Sequence, residues 1–126
     1  MRYFFRDKHQ LRQSWIHYIH PNKQQLAHQL TTTAPSWVDY IIIFGSAVTA
    51  NCRPDSDLDI CVIGAYPLDL SGLWPCLDSE EKDIIFKQSI DDFKSALAIQ
   101  PAGVMHEIKT KGVVIYDRKK EFASAS

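Results

Sequence analysis

Two aspartates, Asp57 and Asp59, stand two positions apart in a stretch that alternates polar and apolar side chains, and a Gly45-Ser46 pair precedes Asp57 with ten residues between. On an extended strand, residues i and i+2 point to the same side, so the two carboxylates converge and offer hard oxygen donors to a cation such as Mg²⁺. Left without a counter-ion, two like charges this close would push one pKa up or destabilise the fold. Gly45-Ser46 ends an apolar run, and a small-residue turn at the end of a buried strand leaves backbone N–H groups free and lets a phosphate approach closely. The two devices together point to a metal–phosphate complex and in-line displacement at phosphorus. An EF-hand loop beginning at Asp55 is excluded, because Ile60 stands where its glycine belongs and Tyr66 where its bidentate glutamate belongs.

The flanking elements must position these groups. Val38 to Phe44 carries Ile, Val and aromatic residues on both alternating faces, which predicts a short central strand covered on each side. Asp57 to Ile63 predicts a second strand, with Leu58, Ile60 and Val62 on one face and Asp57, Asp59 and Cys61 on the other. Upstream, Leu11, Trp15, Tyr18 and Ile19 form a helical stripe over Asp7 to His20 that Pro21 ends. Asn22, with Gln25 reaching back, predicts the cap of a second helix bearing Leu26 and Leu30, ahead of a Thr31–Pro35 breaker. Gly64 to Ser79, with Pro67, Gly72 and Pro75, reads as a crossing loop. Lys82 to Phe86 is a third strand, and Ser89 with Asp92 predicts a capped helix bearing Ile90, Phe93 and Leu97 that Pro101 breaks. A further helix from Val104 to Lys111 stops at Gly112, and Val113 to Tyr116 adds the last strand. This order predicts an α+β domain, a mixed β-sheet flanked by helices.

The 126 residues, 45% of them hydrophobic, suit a single core. Fourteen Lys and Arg against fifteen Asp and Glu leave a net charge of −1, so no chain-wide basic field supports nucleic-acid binding, and no basic residues interleave with the aromatics to read RNA. The apolar runs fall far short of the roughly 20 residues that cross a bilayer, and the N-terminus lacks a signal-peptide core, so a cytoplasmic protein with no membrane partner is expected. Three cysteines without a CxxC and five histidines without HExxH or HxH indicate reduced thiols and packing or surface imidazoles, with neither disulfides nor zinc.

The pattern Gly45-Ser46, ten residues, Asp57-x-Asp59 resembles the signature of the DNA polymerase β-like nucleotidyltransferases, and in particular the minimal nucleotidyltransferases. Their common form, GS-x-A-R-G-x-x-x-x-D-S-D-x-D, aligns without a gap and keeps Arg53-Pro54-Asp55-Ser56, but Thr49 and Ala50 stand where Arg and Gly are usual. The resemblance runs from Leu26 to Tyr116, including a closing I-x-x-x-G-x-x-x-Y from Ile108. It implies a polymerase β-like nucleotidyltransferase fold over residues 22–117, with an appended N-terminal helix over 1–21 and a flexible tail over 118–126.

It further implies that Asp57 and Asp59 hold two Mg²⁺ ions. Asp83, in the Lys82–Phe86 strand, is then the third carboxylate, which ligates the catalytic metal and helps to deprotonate the incoming hydroxyl. Gly45 and Ser46 would take the β and γ phosphates of ATP or another NTP. Arg53 and Ser56 are further phosphate-side candidates, although a loop arginine can simply be solvated and Ser56 can bond the backbone of its own turn. Thr49 cannot reproduce the bidentate charge-assisted contacts of an arginine, which weakens the grip on the triphosphate.

Family members of this kind pair with HEPN-type toxins as antitoxins, and some move AMP from ATP onto a tyrosine of the toxin. The expected function is therefore Mg-dependent nucleotidyl transfer to an acceptor hydroxyl presented by a partner toxin or by a second copy of the chain. The alternatives are a catalytically weak or inactive protein of the same fold that acts by binding its partner, and a transferase acting on a small molecule or an RNA 3′ end within an oligomer.

Overall fold

The computed structural model describes residues 15–50, 52–68, 74, 82–99 and 103–118. After a 3₁₀ turn at Trp15–Tyr18, the elements are α1 (Pro21–Thr33), β1 (Val38–Phe44), a second 3₁₀ turn (Gly45–Val48), β2 (Leu58–Gly64), β3 (Lys82–Lys87), α2 (Ile90–Ile99), α3 (Val104–Lys111) and β4 (Val113–Asp117). The four strands form one mixed sheet in the order β3-β2-β1-β4, with β1 antiparallel to β2 and β4, and β2 parallel to β3. The α+β class expected from the pattern is what the chain adopts.

β1 is a central strand, as its two apolar faces require. Ile41 and Ile43 join Ala27 and Leu30 of α1, Ile60 and Val62 of β2, and Val113 and Ile115 of β4 in one core. Tyr40, Ile42 and Phe44 face the other way, against Phe93 and Leu97 of α2 and Met105 and Ile108 of α3. A register shift between Val38 and Tyr40 lets Val38 share the α1 side although it stands two positions before Tyr40, which faces the other way. β2 is apolar on both faces from Ile60 onward, because Cys61 and Ile63 lie under α2 and α3. Asp57 precedes this strand, so Asp59 is the acid that β2 itself carries. β3 is partly exposed along its length, as an outer strand is.

The helix ends differ from the sequence pattern upstream and agree with it downstream. The helix expected over Asp7–His20 falls mostly outside the described residues, and where they begin the chain forms a 3₁₀ turn. Pro21 opens α1 and ends nothing, because its fixed φ and missing N–H suit a first helical position. The cap is His20, whose Nδ1 accepts the Asn22 N–H at 3.3 Å; Asn22 uses its own amide elsewhere, and Gln25 is exposed. α1 also runs through the threonines expected to break it. Their hydroxyls fold back onto carbonyls one turn earlier, Thr31 on His28 at 2.8 Å and Thr33 on Gln29 at 2.7 Å. Downstream, Ser89 Oγ accepts the Asp92 N–H at 3.2 Å, and Gly112 follows α3, as expected.

Of the expected crossing loop, residues 65–68 form no regular element, and Trp74 is buried with its Nε1–H on Thr33 Oγ1 at 3.0 Å. Cys52 and Cys61 are buried free thiols, and Cys76 lies outside the described residues. The expected tail is likewise outside them, apart from Arg118, which pairs with Asp39. Among the described residues no helix is long and apolar enough to cross a membrane.

Candidate active site

The chain leaves β1 at Phe44 and turns at once, with Gly45 at φ +73°. A Cβ there would collide with the Asp59 carboxylate, falling on Oδ2 and 2.9 Å from Cγ. Any other residue would both strain the backbone and push Asp59 away. The residue after it, Ser46, is half-buried, and its carbonyl accepts the Thr49 N–H at 3.0 Å and the Thr49 hydroxyl at 2.8 Å. These bonds close a four-residue 3₁₀ turn, after which Thr49 is extended, so no α-helix follows the glycine. An anion here would meet the amides of a tight turn, without the dipole of a long helix. Thr49, in the usual arginine position, spends its hydroxyl on the turn.

The loop that returns to β2 is tied to α1. Asn22 Nδ2 donates to the Cys52 carbonyl at 3.2 Å, and the Cys52 thiol lies 3.3 Å from Asn22 Oδ1. The Ser46 hydroxyl lies 3.9 Å from the same sulfur. Lys23, 2% exposed, donates from Nζ to the Pro54 carbonyl at 3.2 Å. The His20 N–H donates to Ala47 O at 2.7 Å. The first turn of α1 thus holds both the Gly45–Val48 turn and the loop that delivers Asp57. Within the loop, the Ser56 N–H donates to Arg53 O at 3.1 Å and Ser56 Oγ accepts the Arg53 N–H at 3.2 Å. Ser56 is therefore engaged in its own turn, and the Arg53 side chain is exposed.

Register brings two of the aspartates side by side: Asp59 pairs with Phe44 on one side and with Asp83 of parallel β3 on the other. Asp57 and Asp83 are exposed and Asp59 is half-buried. The Asp59 carboxyl is pushed up from 3.8 to about 6, first by burial and then by the negative charges of Asp83, Glu107 and Asp57. Glu107, in the first turn of α3, is a fourth carboxylate that the motif did not single out. Only its place next to the buried Met105 and Ile108 hinted that it faces the sheet. α3 also packs against the Gly45–Val48 turn.

The oxygen-only donor set of Asp57, Asp59 and Asp83, and the burial and neighbouring negative charges that raise Asp59, fit a hard divalent cation. As the side chains stand, no three His, Cys, Asp or Glu groups among the described residues close around a single metal position.

No curated protein matches the chain closely enough to stand as a relative. The family model described as "Polymerase beta, Nucleotidyltransferase" matches residues 24–121. That span runs from α1 past β4 and contains the glycine turn, the tied loop and all four carboxylates, so a match over most of the chain accounts for the whole arrangement. The chain belongs to the polymerase β nucleotidyltransferase family and is, in general class, a nucleotidyltransferase.

Proposed function

We propose that the protein moves a nucleoside monophosphate, AMP from ATP, onto an acceptor hydroxyl of a partner protein, with Mg²⁺ as the required cation. The observation that carries this reading is the packing of Asp59 over the Gly45 turn with Asp83 beside it in register. The glycine turn and the pair of carboxylates at the strand end are thereby neighbours.

In this reading the amides of the turn and the Ser46 hydroxyl hold the β and γ phosphates. Asp57, Asp59 and Asp83 would hold two Mg²⁺ ions, which when bound supply charge neutralisation at the phosphates. The acceptor oxygen attacks the α-phosphorus in line, its proton passes to the Asp83 carboxylate, and the bond to the pyrophosphate oxygen breaks. Asp83 suits that task because it is exposed and can meet an acceptor arriving from outside.

All three described helices pack on the sheet, and none stands apart to hold an acceptor. That placement supports an acceptor brought by another chain. The resemblance to minimal nucleotidyltransferases supports a HEPN-type toxin as that chain, an antitoxin role and a cytoplasmic setting. The engagement of Thr49 with Ser46 favours a second reading, in which the protein binds and blocks its partner without transfer.

Transfer of label from α-labelled ATP and Mg²⁺ into a lysate of the source cell separates them. A labelled protein band that disappears with Asp57→Asn plus Asp59→Asn supports transfer to a protein. Label in RNA or in a small molecule overturns the protein acceptor. No label, and no stabilisation by MgATP, establishes the binding-only reading; a true ligand at a hundred times its Kd would add about 2.7 kcal/mol.

A further inference from the structure

The Gly45–Val48 turn is held from two sides. On the side of α2 and α3, Gly45 leaves room for the Asp59 carboxylate, and α3 packs on the turn. On the side of α1, Ser46 lies against Cys52, which is buried in the α1 core. The first contact belongs to the carboxylate site. The second ends a chain of three side chains that starts in the first turn of α1.

Asn22 holds Cys52 at two points. Its Nδ2 donates to the Cys52 carbonyl at 3.2 Å, and its Oδ1 lies 3.3 Å from the thiol sulfur. Turned over, the amide would set oxygen against oxygen at the first contact and remove the thiol's acceptor at the second, so the two contacts fix one orientation. The thiol hydrogen points to Asn22 Oδ1 or to Arg53 O at 3.6 Å. In either case the sulfur keeps lone pairs for the Ser46 hydroxyl at 3.9 Å. Sulfur is a weak acceptor, so a phosphate oxygen competes with it readily. Thr49, just beyond the turn, spends its hydroxyl on Ser46 O at 2.8 Å. Ser46 therefore carries the hydroxyl on which an oxyanion at this turn can draw.

We propose that Asn22 and Cys52 are positioning residues for the phosphates of the nucleotide: Asn22 fixes the thiol, and the thiol fixes the Ser46 hydroxyl at the turn. The proposal rests on the reading that places the β and γ phosphates at Gly45 and Ser46. Neither residue touches the ligand, and each acts through Ser46. The Asn22 side chain is available for this task because the cap of α1 uses only its backbone N–H, on the ring of His20.

The test titrates the full chain with inorganic tripolyphosphate in the presence of Mg²⁺. Ser46→Ala is expected to weaken binding about tenfold, the loss of one hydrogen bond to a charged group. Asn22→Ala and Cys52→Ala should each weaken it by about three- to tenfold alone, and by less than about twofold further in Ser46→Ala, because residues that act through one hydroxyl are not additive. Cys52→Ser keeps a donor for Asn22 and an acceptor for Ser46, and should bind within about twofold of wild type. Thermal unfolding without ligand selects a temperature at which every variant is folded. If Asn22→Ala melts too early, Cys52→Ala and Cys52→Ser, which leave α1 unaltered, carry the test.

A loss from Asn22→Ala that persists undiminished in Ser46→Ala overturns the proposal. Equal weakening by Cys52→Ala and Cys52→Ser also overturns it, since both results mark a loop merely loosened. Unchanged binding in Asn22→Ala and Cys52→Ala, beside a loss in Ser46→Ala, overturns the proposal and leaves the phosphate reading standing. Unchanged binding in Ser46→Ala removes the phosphate reading and the proposal with it. If labelled ATP gives no transfer while the non-additive pattern holds, the transfer reading fails and the positioning pair stands.

Discussion

A glycine sits at each end of the β1–β2 pair, and the two make room for different things. At the Phe44–Asp59 end, a Cβ on Gly45 would meet the Asp59 carboxylate, 2.9 Å from its Cγ. At the Val38–Gly64 end, a Cβ on Gly64 would meet the Trp37 carbonyl, 3.1 Å from that carbon and 3.1 Å from Val38 Cα. A carboxylate is the mobile end of a side chain and a carbonyl is fixed backbone. The first end is therefore built to present charge and tolerates local repulsion. The second is built to close the sheet and tolerates no shift. The same strand pair thus separates function from stability by about one strand length.

The strongest way to break this contrast is Asp59→Asn. It is expected to lower transfer on the order of 10³-fold, as loss of one preorganised charge at phosphorus does. It should also stabilise the fold above about pH 6. The reason is linkage: the folded carboxyl titrates near 6 and the ordinary one near 3.8, so the folded state holds the proton more tightly. The stabilising contribution of protonated Asp59 is complete below the ordinary value and is lost as pH rises through about 6. Asparagine never ionises, so the variant should melt higher than wild type at about pH 8, with that advantage shrinking towards about pH 4. Equal melting shifts at both ends of that range would show that the Asp59 carboxyl is not raised by its burial and its acidic neighbours. Mg²⁺ should raise the melting temperature of wild type at about pH 8, more weakly at about pH 5, and hardly at all in the variant.

Gly45→Ala comes next. The methyl displaces Asp59, and misplacement of about 1 Å can cost about 10²-fold in rate. The stability loss should be only about 1–2 kcal/mol, the cost of a side chain in left-handed backbone. Activity and stability would then part company. A variant that loses both in proportion would place Gly45 on the structural side.

Gly64→Ala should invert that result. Backbone must move, so a loss of about 1–3 kcal/mol is expected in denaturant unfolding, as for overpacking. The rate per folded molecule should be unchanged. A fall in kcat at temperatures where the variant is fully folded would show that the two strand ends are coupled.

Part of this architecture was legible beforehand because it is local. The Val and Ile runs of β1 and β4, the alternation in β2, the Ser89 cap and the Gly112 stop each act within a few residues. So did the spacing from Gly45-Ser46 to Asp57 and Asp59. What was not legible depends on residues far apart in the chain. Pro21 reads equally well as an end or a beginning, and only His20 on Ala47 and the 3₁₀ turn before it decide the matter. Glu107 reaches the site because α3 packs on the sheet face that bears Asp59. Lys23 looks like an ordinary surface lysine on a polar helix until Pro54 covers it.

Lys23 also supplies the smallest of these effects and the finest test of the comparison. Its ammonium is 2% exposed and bonds the Pro54 carbonyl at 3.2 Å, a bond that spans from α1 to the loop before Asp57. Burying a charge against one neutral acceptor gains little net stability, and an apolar side chain of similar size is often as good or better. Lys23→Met should therefore leave the melting temperature unchanged or raised, since Pro54 is exposed and water can take over at its carbonyl. The loop would nonetheless lose its tether, and Asp57 its fixed approach to Asp59. Transfer should fall by roughly three- to tenfold, a change of about 0.6–1.4 kcal/mol in barrier, with kcat/KM as the readout. A melting temperature that falls without loss of kcat/KM would make Lys23 a member of the structural end. A loss of rate at unchanged stability would show that this buried charge is retained for what it holds in place, in the same way that Gly45 is retained for the carboxylate above it.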